Sequence, residues 1–258
     1  MRDAARREYA DDTRYNARVE LHQRFGGGPF RVHRAVFDQL RLPADAAVLE
    51  LGCGSGHFWA ANAERVPAGW TIVLADLSPG MIAAARVRLG GRFAYALADA
   101  EALPLPAGRF DAAIANHMLY HVPDRRRAAR EIARVLRPDG VLYAATNGRD
   151  HMRELAELAA RWVEAGLIHR SSEAFGLENG AEQLRAGFAR VDVDARHGEL
   201  VVTEAEPVVA YVRSLVGDGW DGDPLRREVA MIIEREGAFR ITTHTGLLVA
   251  RSPIQSGT

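Results

Sequence analysis

The stretch Val48–Gly56 reads VLELGCGSG. A short apolar run enters a turn carrying three glycines, Gly52, Gly54 and Gly56, and HFWAAN follows in a helical pattern. A strand that enters a glycine turn and leaves as a helix aims backbone N–H groups at a ligand. The dinucleotide spacing is G-x-G-x-x-G. Here the third glycine comes one residue early, and Glu50 stands just ahead of the turn, an awkward neighbour for a pyrophosphate. The glycines alone leave three occupants open: a pyrophosphate, a nucleoside with a different tail, or nothing.

Working outward, short apolar runs alternate with helical patterns from Ala47 to about Thr146. Thr71–Ala75, Phe93–Ala98, Asp111–Ala115 and Val141–Ala145 have the length and apolarity of buried parallel strands, the last following a turn at Arg137–Gly140. Ser78 is a predicted helix N-cap with Pro79 at the first helical position. In Asp124–Leu136, Ala129, Ile132, Ala133 and Leu136 form one apolar face. Such alternation predicts a right-handed, mostly parallel sheet covered by helices on both sides. Before residue 40 the pattern is helical with a glycine break at Gly26–Gly28. After residue 150 it predicts a helix over Asp150–Ala165, a strand over Arg190–Ala195, helices over Ala205–Leu215 and Leu225–Glu236, and a final strand over Ala238–Ala250. No repeat or linker divides the chain, so residues 1–258 read as one domain.

Composition removes whole reaction classes. At 258 residues, 48% hydrophobic and 26% charged, the chain is of ordinary globular type. A formal charge of −1 argues against a nucleic-acid partner. Cys53 is the sole cysteine, which excludes an intrachain disulfide and a multi-cysteine zinc site. All 33 Lys+Arg residues are arginine. Schiff-base lysines, a pyridoxal-phosphate anchor and a P-loop lysine are therefore excluded. No apolar stretch has membrane-span length, and the charged N-terminus lacks a signal-peptide core, so the expected location is the cytoplasm with no membrane partner. His22, His33, His151, His169, His197 and His244 read as scattered, without metal-ligand spacing.

The predicted strand ends carry the chemistry. Asp76 follows the glycine turn by about twenty residues, where an acid accepts hydrogen bonds from ribose hydroxyls. Asp99-Ala100 ends the third strand and Asn116 the fourth, and ligands of open α/β sheets bind beyond such ends. A crevice rich in acids and poor in cations suits a nucleoside with a cationic tail. In VLELGCGSG (48–56), LADLSPGMIAAAR (74–86), ADAEALPLPAGRFD (98–111) and RVLRPDGVLY (134–143), the chain resembles the class I S-adenosylmethionine-dependent methyltransferases. The resemblance covers roughly residues 30–150.

It implies an α/β, Rossmann-like sheet of seven strands, mostly parallel with an antiparallel last strand and helices on both faces. Residues 1–40 would form a helical lid, 41–150 the cofactor core, and 151–258 the substrate roof and last two strands. The implied cofactor is S-adenosyl-L-methionine, leaving as S-adenosyl-L-homocysteine. By the resemblance, Gly52, Cys53, Gly54 and Gly56, with Glu50 ahead of them, hold its methionine part. Asp76 takes the ribose, Leu77 and Met81 flank the adenine, Asp99 and Ala100 meet the adenine edge, and Asn116 joins the same crevice. Tyr15 and Arg18 of the lid reach the methionine end. Cys53 is then a small turn residue and no nucleophile.

A sulfonium is an activated leaving group, so no metal is expected; the protein must align three atoms and exclude water. The fourth strand delivers Asn116-His117-Met118-Leu119-Tyr120-His121 to the crevice rim. His117 is the first choice of general base, because an ordinary imidazole titrates near working pH. His121 is the second choice, with helix packing as its alternative role. Tyr120 either lines the acceptor pocket or packs. Asn116-His117 departs from the Asn-Pro-Pro-Tyr of nucleic-acid amino methyltransferases, which leans against DNA. Arg126, Arg130, Arg134 and Arg137 read as a solvated helix face. The expected partner is a small-molecule acceptor bearing an oxygen, nitrogen or carbon nucleophile; oligomeric state is not readable. The competing readings are a cofactor-binding protein that does not methylate and a nicotinamide oxidoreductase, the latter disfavoured by Glu50 and the early glycine.

Overall fold

The computed structural model describes residues 13–26 and 31–254, with side chains from residue 17 and residue 33 onward in these stretches. One sheet has the strand order β3-β2-β1-β4-β5-β7-β6. Strands β1 (Ala47–Leu51), β2 (Thr71–Asp76), β3 (Ala94–Leu97), β4 (Phe110–Asn116) and β5 (Leu136–Asn147) pair in parallel. Strand β7 (Phe239–Pro253) lies antiparallel between β5 and β6 (Phe188–Val202). The architecture is the one the sequence implied.

The connections follow local signals. Helix α1 (Thr13–Phe25) and α2 (Arg31–Phe37) precede β1, and α3 (His57–Ala61) leaves the glycine turn. Helix α4 (Pro79–Leu89) is capped by Ser78, whose Oγ accepts from Met81 N at 3.3 Å. Helix α5 (Arg125–Val135) is capped by Asp124, which accepts from Arg127 N at 2.9 Å. Each such cap is worth about 1 kcal/mol. Ala129, Ile132, Ala133 and Leu136 are all fully buried, as their spacing predicted. Then come α6 (Arg153–Ala159), α7 (Arg170–Ala174), α8 (Gly180–Leu184), α9 (Ala205–Val216) and α10 (Asp223–Glu236).

Strand β1 is buried at all five positions because both its faces are covered. Leu49 and Leu51 pack with Ile132, Leu136 and Phe188 on one side, and Val48 packs with Trp59, Leu74 and Ile114 on the other. A third cluster joins Leu21 of α1 to Met152, Leu155, Val212 and Ile241. The lid helix is thus fastened to the chain that follows β5. Among the described residues, no helix is long and apolar enough to cross a membrane.

Three boundaries differ from expectation. The helix predicted over 150–165 contracts to α6, which begins after Met152 in the left-handed region at φ 63°. Strand β6 runs well past Ala195, because it pairs with β7 from Phe188↔Pro253 to Val202↔Phe239. Its outer residues are mostly exposed, which hides the alternation. Strand β5 begins at Leu136, the predicted Arg137–Gly140 turn being drawn into extended chain across a register shift beside Phe110.

Candidate cofactor and acceptor site

The glycine turn joins β1 to α3. Gly52, Gly54 and Gly56 all have positive φ, at 63°, 54° and 82°. Glycine tolerates this region without a Cβ clash. The missing Cβ does different work at two of them. At Gly52 it would stand 2.6 Å from Met118 Cβ, so the turn and the strand-end segment after β4 touch here. At Gly54 it would meet nothing within 4 Å, which leaves open space over the backbone for a ligand. Cys53 is buried, and desolvation pushes its thiol far above the ordinary range, as befits a small turn residue.

Asp76 at the end of β2 is bound to that turn. Its Oδ2 accepts from Gly54 N at 2.9 Å and its Oδ1 from Ser78 N at 2.8 Å. A carboxylate offers about four lone-pair sites, so two remain for hydroxyl donors. Burial raises its pKa, and the backbone hydrogen bonds oppose that rise. Leu77 beside it is half-buried, whereas Met81 is only 2% exposed and packs inward. Asp99 accepts from Glu101 N at 2.9 Å, and Ala100 is buried next to it.

Glu50 is buried at 1% exposure. Its Oε2 accepts from Trp59 Nε1 at 2.6 Å and its Oε1 from Asn116 Nδ2 at 3.3 Å. Burial pushes its pKa up to about 8, against the pull of both hydrogen bonds and with a further push from Asp76. Asn116 Oδ1 is buried without a hydrogen-bond partner among the described residues. A buried unsatisfied acceptor costs about 1–3 kcal/mol. Glu50 and Asn116 thus pair at the carboxyl ends of β1 and β4, and Asp76 and the Gly54 backbone pair beside them at the end of β2.

His117 follows β4 with φ 51°, a left-handed conformation that is uncommon for a residue with a side chain. Its N–H donates to Ala145 O at 2.9 Å, which holds it there. Such backbone strain, worth about 1–3 kcal/mol, gathers at functional sites. Desolvation drives its pKa down to about 4, helped by His33 and His22. The ring is therefore neutral at working pH, and a weaker base than an ordinary imidazole. Tyr120 and His121 share one helical turn, Leu119–His121, with rings edge to face at 4.5 Å. Tyr120 also packs on the core. Arg18 is half-buried on α1, and the Tyr15 side chain lies outside the described residues.

The histidines are not scattered. His22 stacks on His151 with centroids 5.5 Å apart, His244 N donates to His151 Nδ1 at 3.3 Å, and His197 stacks on His244 at 4.1 Å. His169 Nε2 donates to His151 O at 3.1 Å. Folding brings together residues from α1, the loops around α6, and β6 and β7. Among the described residues, none of these groups could hold a metal ion. Of the arginines read as a solvated helix face, Arg126 on α5 pairs with exposed Glu182, Arg134 is partly buried and binds Glu131 and the carbonyls of Leu103 and Leu105, and Arg137 lies in β5 and pairs with Asp111. The roof segments expected after β5 are braced together: Thr146 Oγ1 donates to Phe175 O at 2.7 Å, and Arg149 N to Glu178 Oε1 at 2.8 Å.

Known proteins match this arrangement. The family described as "Methyltransferase domain" matches residues 49–144. A Mycobacterium tuberculosis protein named as a probable S-adenosylmethionine-dependent methyltransferase is 30% identical over 220 residues, covering 79% of this chain and 73% of that one. The chain belongs to the class I S-adenosylmethionine-dependent methyltransferases. A malonyl-[acyl-carrier protein] O-methyltransferase of a Methylovorus species is 31% identical over 180 residues, 67% of this methyltransferase-family chain. The match spans 60% of that relative's length. The structure of Haemonchus contortus phosphoethanolamine N-methyltransferase 2 with S-adenosyl-L-methionine superposes with a TM-score of 0.62 at 19% identity, covering 98% of this chain and 60% of that one. It shares the fold.

Proposed function

We propose that this protein binds S-adenosyl-L-methionine and transfers its methyl group to a small molecule by in-line displacement. The observation that carries the reading is the set Glu50, Asn116 Oδ1 and Asp76 around the open backbone of Gly54. Three acceptor groups and no paired cation suit a nucleoside with an ammonium and a sulfonium. A pyrophosphate would meet the Glu50 carboxyl instead.

In this reading, Gly52–Gly56 take the methionine part and Glu50 with Asn116 takes its ammonium. Asp76 takes the ribose hydroxyls, Leu77 lies along the adenine with Met81 behind it, and Asp99 and Ala100 meet the adenine edge. Tyr15 and Arg18 close over the methionine end, Arg18 against its carboxylate. When bound, the cofactor supplies a sulfonium-activated methyl group. The protein's share is alignment and exclusion of water, which supply about 7–11 kcal/mol in favourable cases. His117 and Tyr120 face the acceptor, and His121 supports Tyr120. With a pKa of about 4, His117 orients the acceptor by hydrogen bonding better than it takes its proton.

Isothermal titration tests the cofactor half. S-adenosylhomocysteine is expected to bind, and NAD is expected to give no measurable heat; the reverse would return the turn to the dinucleotide class. Incubation with methyl-labelled cofactor and pools of small acceptors tests the transfer half. Binding without label transfer to any acceptor would leave a protein that uses the cofactor for something other than methylation.

A further inference from the structure

His22 and His151 have fixed and opposite tautomers. His22 Nδ1 lies 3.0 Å from the backbone oxygen of Arg18. A carbonyl only accepts, so Nδ1 carries the proton and Nε2 keeps its lone pair. At His151 the backbone N–H of His244 donates to Nδ1, so there Nε2 carries the proton. The rings stack 18° from parallel. One ring offers an acceptor, and its stacked neighbour a donor. No described residue fixes the His117 ring in the same way.

The pair is linked to the glycine turn through His117 and Met118. His22 is close enough to His117 to depress its protonation, and both act on His151. Met118, the next residue after His117, fills the space opposite Gly52. Tyr211 of α9 closes the other side of His22 at 6.1 Å. The strand end after β4 thus links the glycine turn to the imidazole pair.

A hydroxyl complements one acceptor and one donor, because it donates to the first and accepts from the second. A carboxylate only accepts and would face the His22 lone pair. An amine must attack as the free base with its single lone pair, which leaves nothing to accept from the His151 N–H.

We propose that His22 Nε2 is the catalytic proton acceptor for a hydroxyl methyl acceptor, with the His151 Nε2–H hydrogen-bonding the same oxygen. The proposal rests on the methyl-transfer reading above. As the hydroxyl oxygen attacks, its bond to the methyl carbon forms and the carbon–sulfur bond breaks. The sulfur keeps the electron pair, and the hydroxyl proton passes to His22 Nε2. Burial lowers the pKa of His22, as it does that of His117, but the Arg18 carbonyl opposes the fall; the resulting imidazolium keeps its Nδ1–H on that carbonyl and returns the proton to solvent on product release.

The first test needs no acceptor. Long-range ¹H–¹⁵N correlation spectra of the full chain with bound S-adenosylhomocysteine, ¹⁵N-labelled at histidine, are expected to show His22 protonated on Nδ1 and His151 on Nε2. Either ring in the other tautomer overturns the proposal. The second uses tritiated-methyl cofactor with matched phenols, aliphatic alcohols, carboxylic acids and amines. Label is expected in ethers of the alcohols or phenols. His22→Phe, which keeps a stacking ring, is expected to lower the single-turnover rate about 10²-fold or more, with affinity for S-adenosylhomocysteine unchanged. His22→Gln, whose amide oxygen accepts a hydrogen bond without taking a proton, is expected to lose nearly as much, and it decides the matter should the phenylalanine variant fail to bind. Label confined to acids or amines, or a wild-type rate in a binding-competent His22 variant, overturns the proposal and leaves methyl transfer standing. Label in no acceptor overturns both.

Discussion

Replacing Glu50 by glutamine should make the protein more stable and a poorer binder of its cofactor. Glu50 titrates near 8 when folded and near 4.5 in an unfolded chain, because burial penalises the carboxylate. Between those values the folded state holds a proton that the unfolded state has lost. Stability therefore falls as pH rises through this window, by about 1.4 kcal/mol per pH unit. Between pH 4.5 and 7 the wild type should lose about 3 kcal/mol from this group alone. Glutamine does not titrate. Its carbonyl oxygen still accepts from Trp59 Nε1, and its NH₂ reaches toward Asn116, whose Oδ1 lacks a partner among the described residues. Urea unfolding of both proteins from pH 5 to 8 should show the stability of Glu50→Gln gaining steadily on that of the wild type as pH rises. Affinity should move the other way. A charge-assisted hydrogen bond to an ammonium is worth about 1.5–3 kcal/mol, so S-adenosylhomocysteine should bind about tenfold to a hundredfold more weakly. Wild-type binding at pH 7 should also release protons to the buffer, seen as a buffer-dependent heat, and the variant should not. Parallel stability curves with equal affinities would refute both the neutral buried carboxyl and its place at the cationic tail.

Asp76→Ala should weaken S-adenosylhomocysteine binding about tenfold to a hundredfold by titration calorimetry, and equal affinity in a folded variant would leave Asp76 as a brace of the glycine turn alone. Gly54→Ala should abolish most binding while lowering stability by about 1 kcal/mol, since φ 54° strains any side chain; binding at wild-type strength would show that no ligand approaches that backbone. His33 and His117 are both depressed to about 4 by desolvation, so the folded state binds fewer protons than the unfolded between pH 4 and 6.5. The contribution of these two rings should hold above pH 6.5 and fall toward pH 4, opposite in sign to that of Glu50, and His33→Phe should flatten that fall; an unchanged acid limb would mean the rings are solvated. His117→Ala should slow single-turnover transfer about tenfold to a hundredfold through a misplaced acceptor, without introducing a pH dependence above 6.5.

The sheet was legible because each of β1, β2 and β4 is short and apolar and runs out at a glycine or polar residue: Gly52 after β1, Asp76 closing β2, Asn116 closing β4. Local chemistry also announced the caps at Ser78 and Asp124. The length of β6 was not legible. Its exposed face carries charges at Arg190, Asp192, Asp194 and Glu199, so its strand character comes from the pairing partner fifty residues away. Two features of the site depend on contacts no local pattern reports. Glu50 has a raised pKa because the covering layers desolvate it, against the pull of the Trp59 and Asn116 hydrogen bonds. His22 and His151 meet although 129 positions separate them, so no local pattern reported their contact. His117 was visible as a strand-end imidazole, but its depressed protonation follows from burial, helped by rings that arrive from α2 and α1.

The interior position of β7 also governs the order in which the chain can fold. β7 fills the gap between β5 and β6, so until residues 239–253 are in place each of those strands presents an unpaired inner edge. Synthesis proceeds from the N-terminus at about 5–20 residues per second. The parallel half, β1 to β5, is therefore available for assembly several seconds before its neighbour exists. β6 cannot join it directly, and it waits with charged side chains along much of its length, a composition that resists edge-to-edge association between nascent chains. The pairing of β5 with β7 joins segments about a hundred residues apart, so closure of the sheet is a slow, long-range event. The histidine group around His151, which draws on His244 of β7, matures last, after the glycine turn has formed.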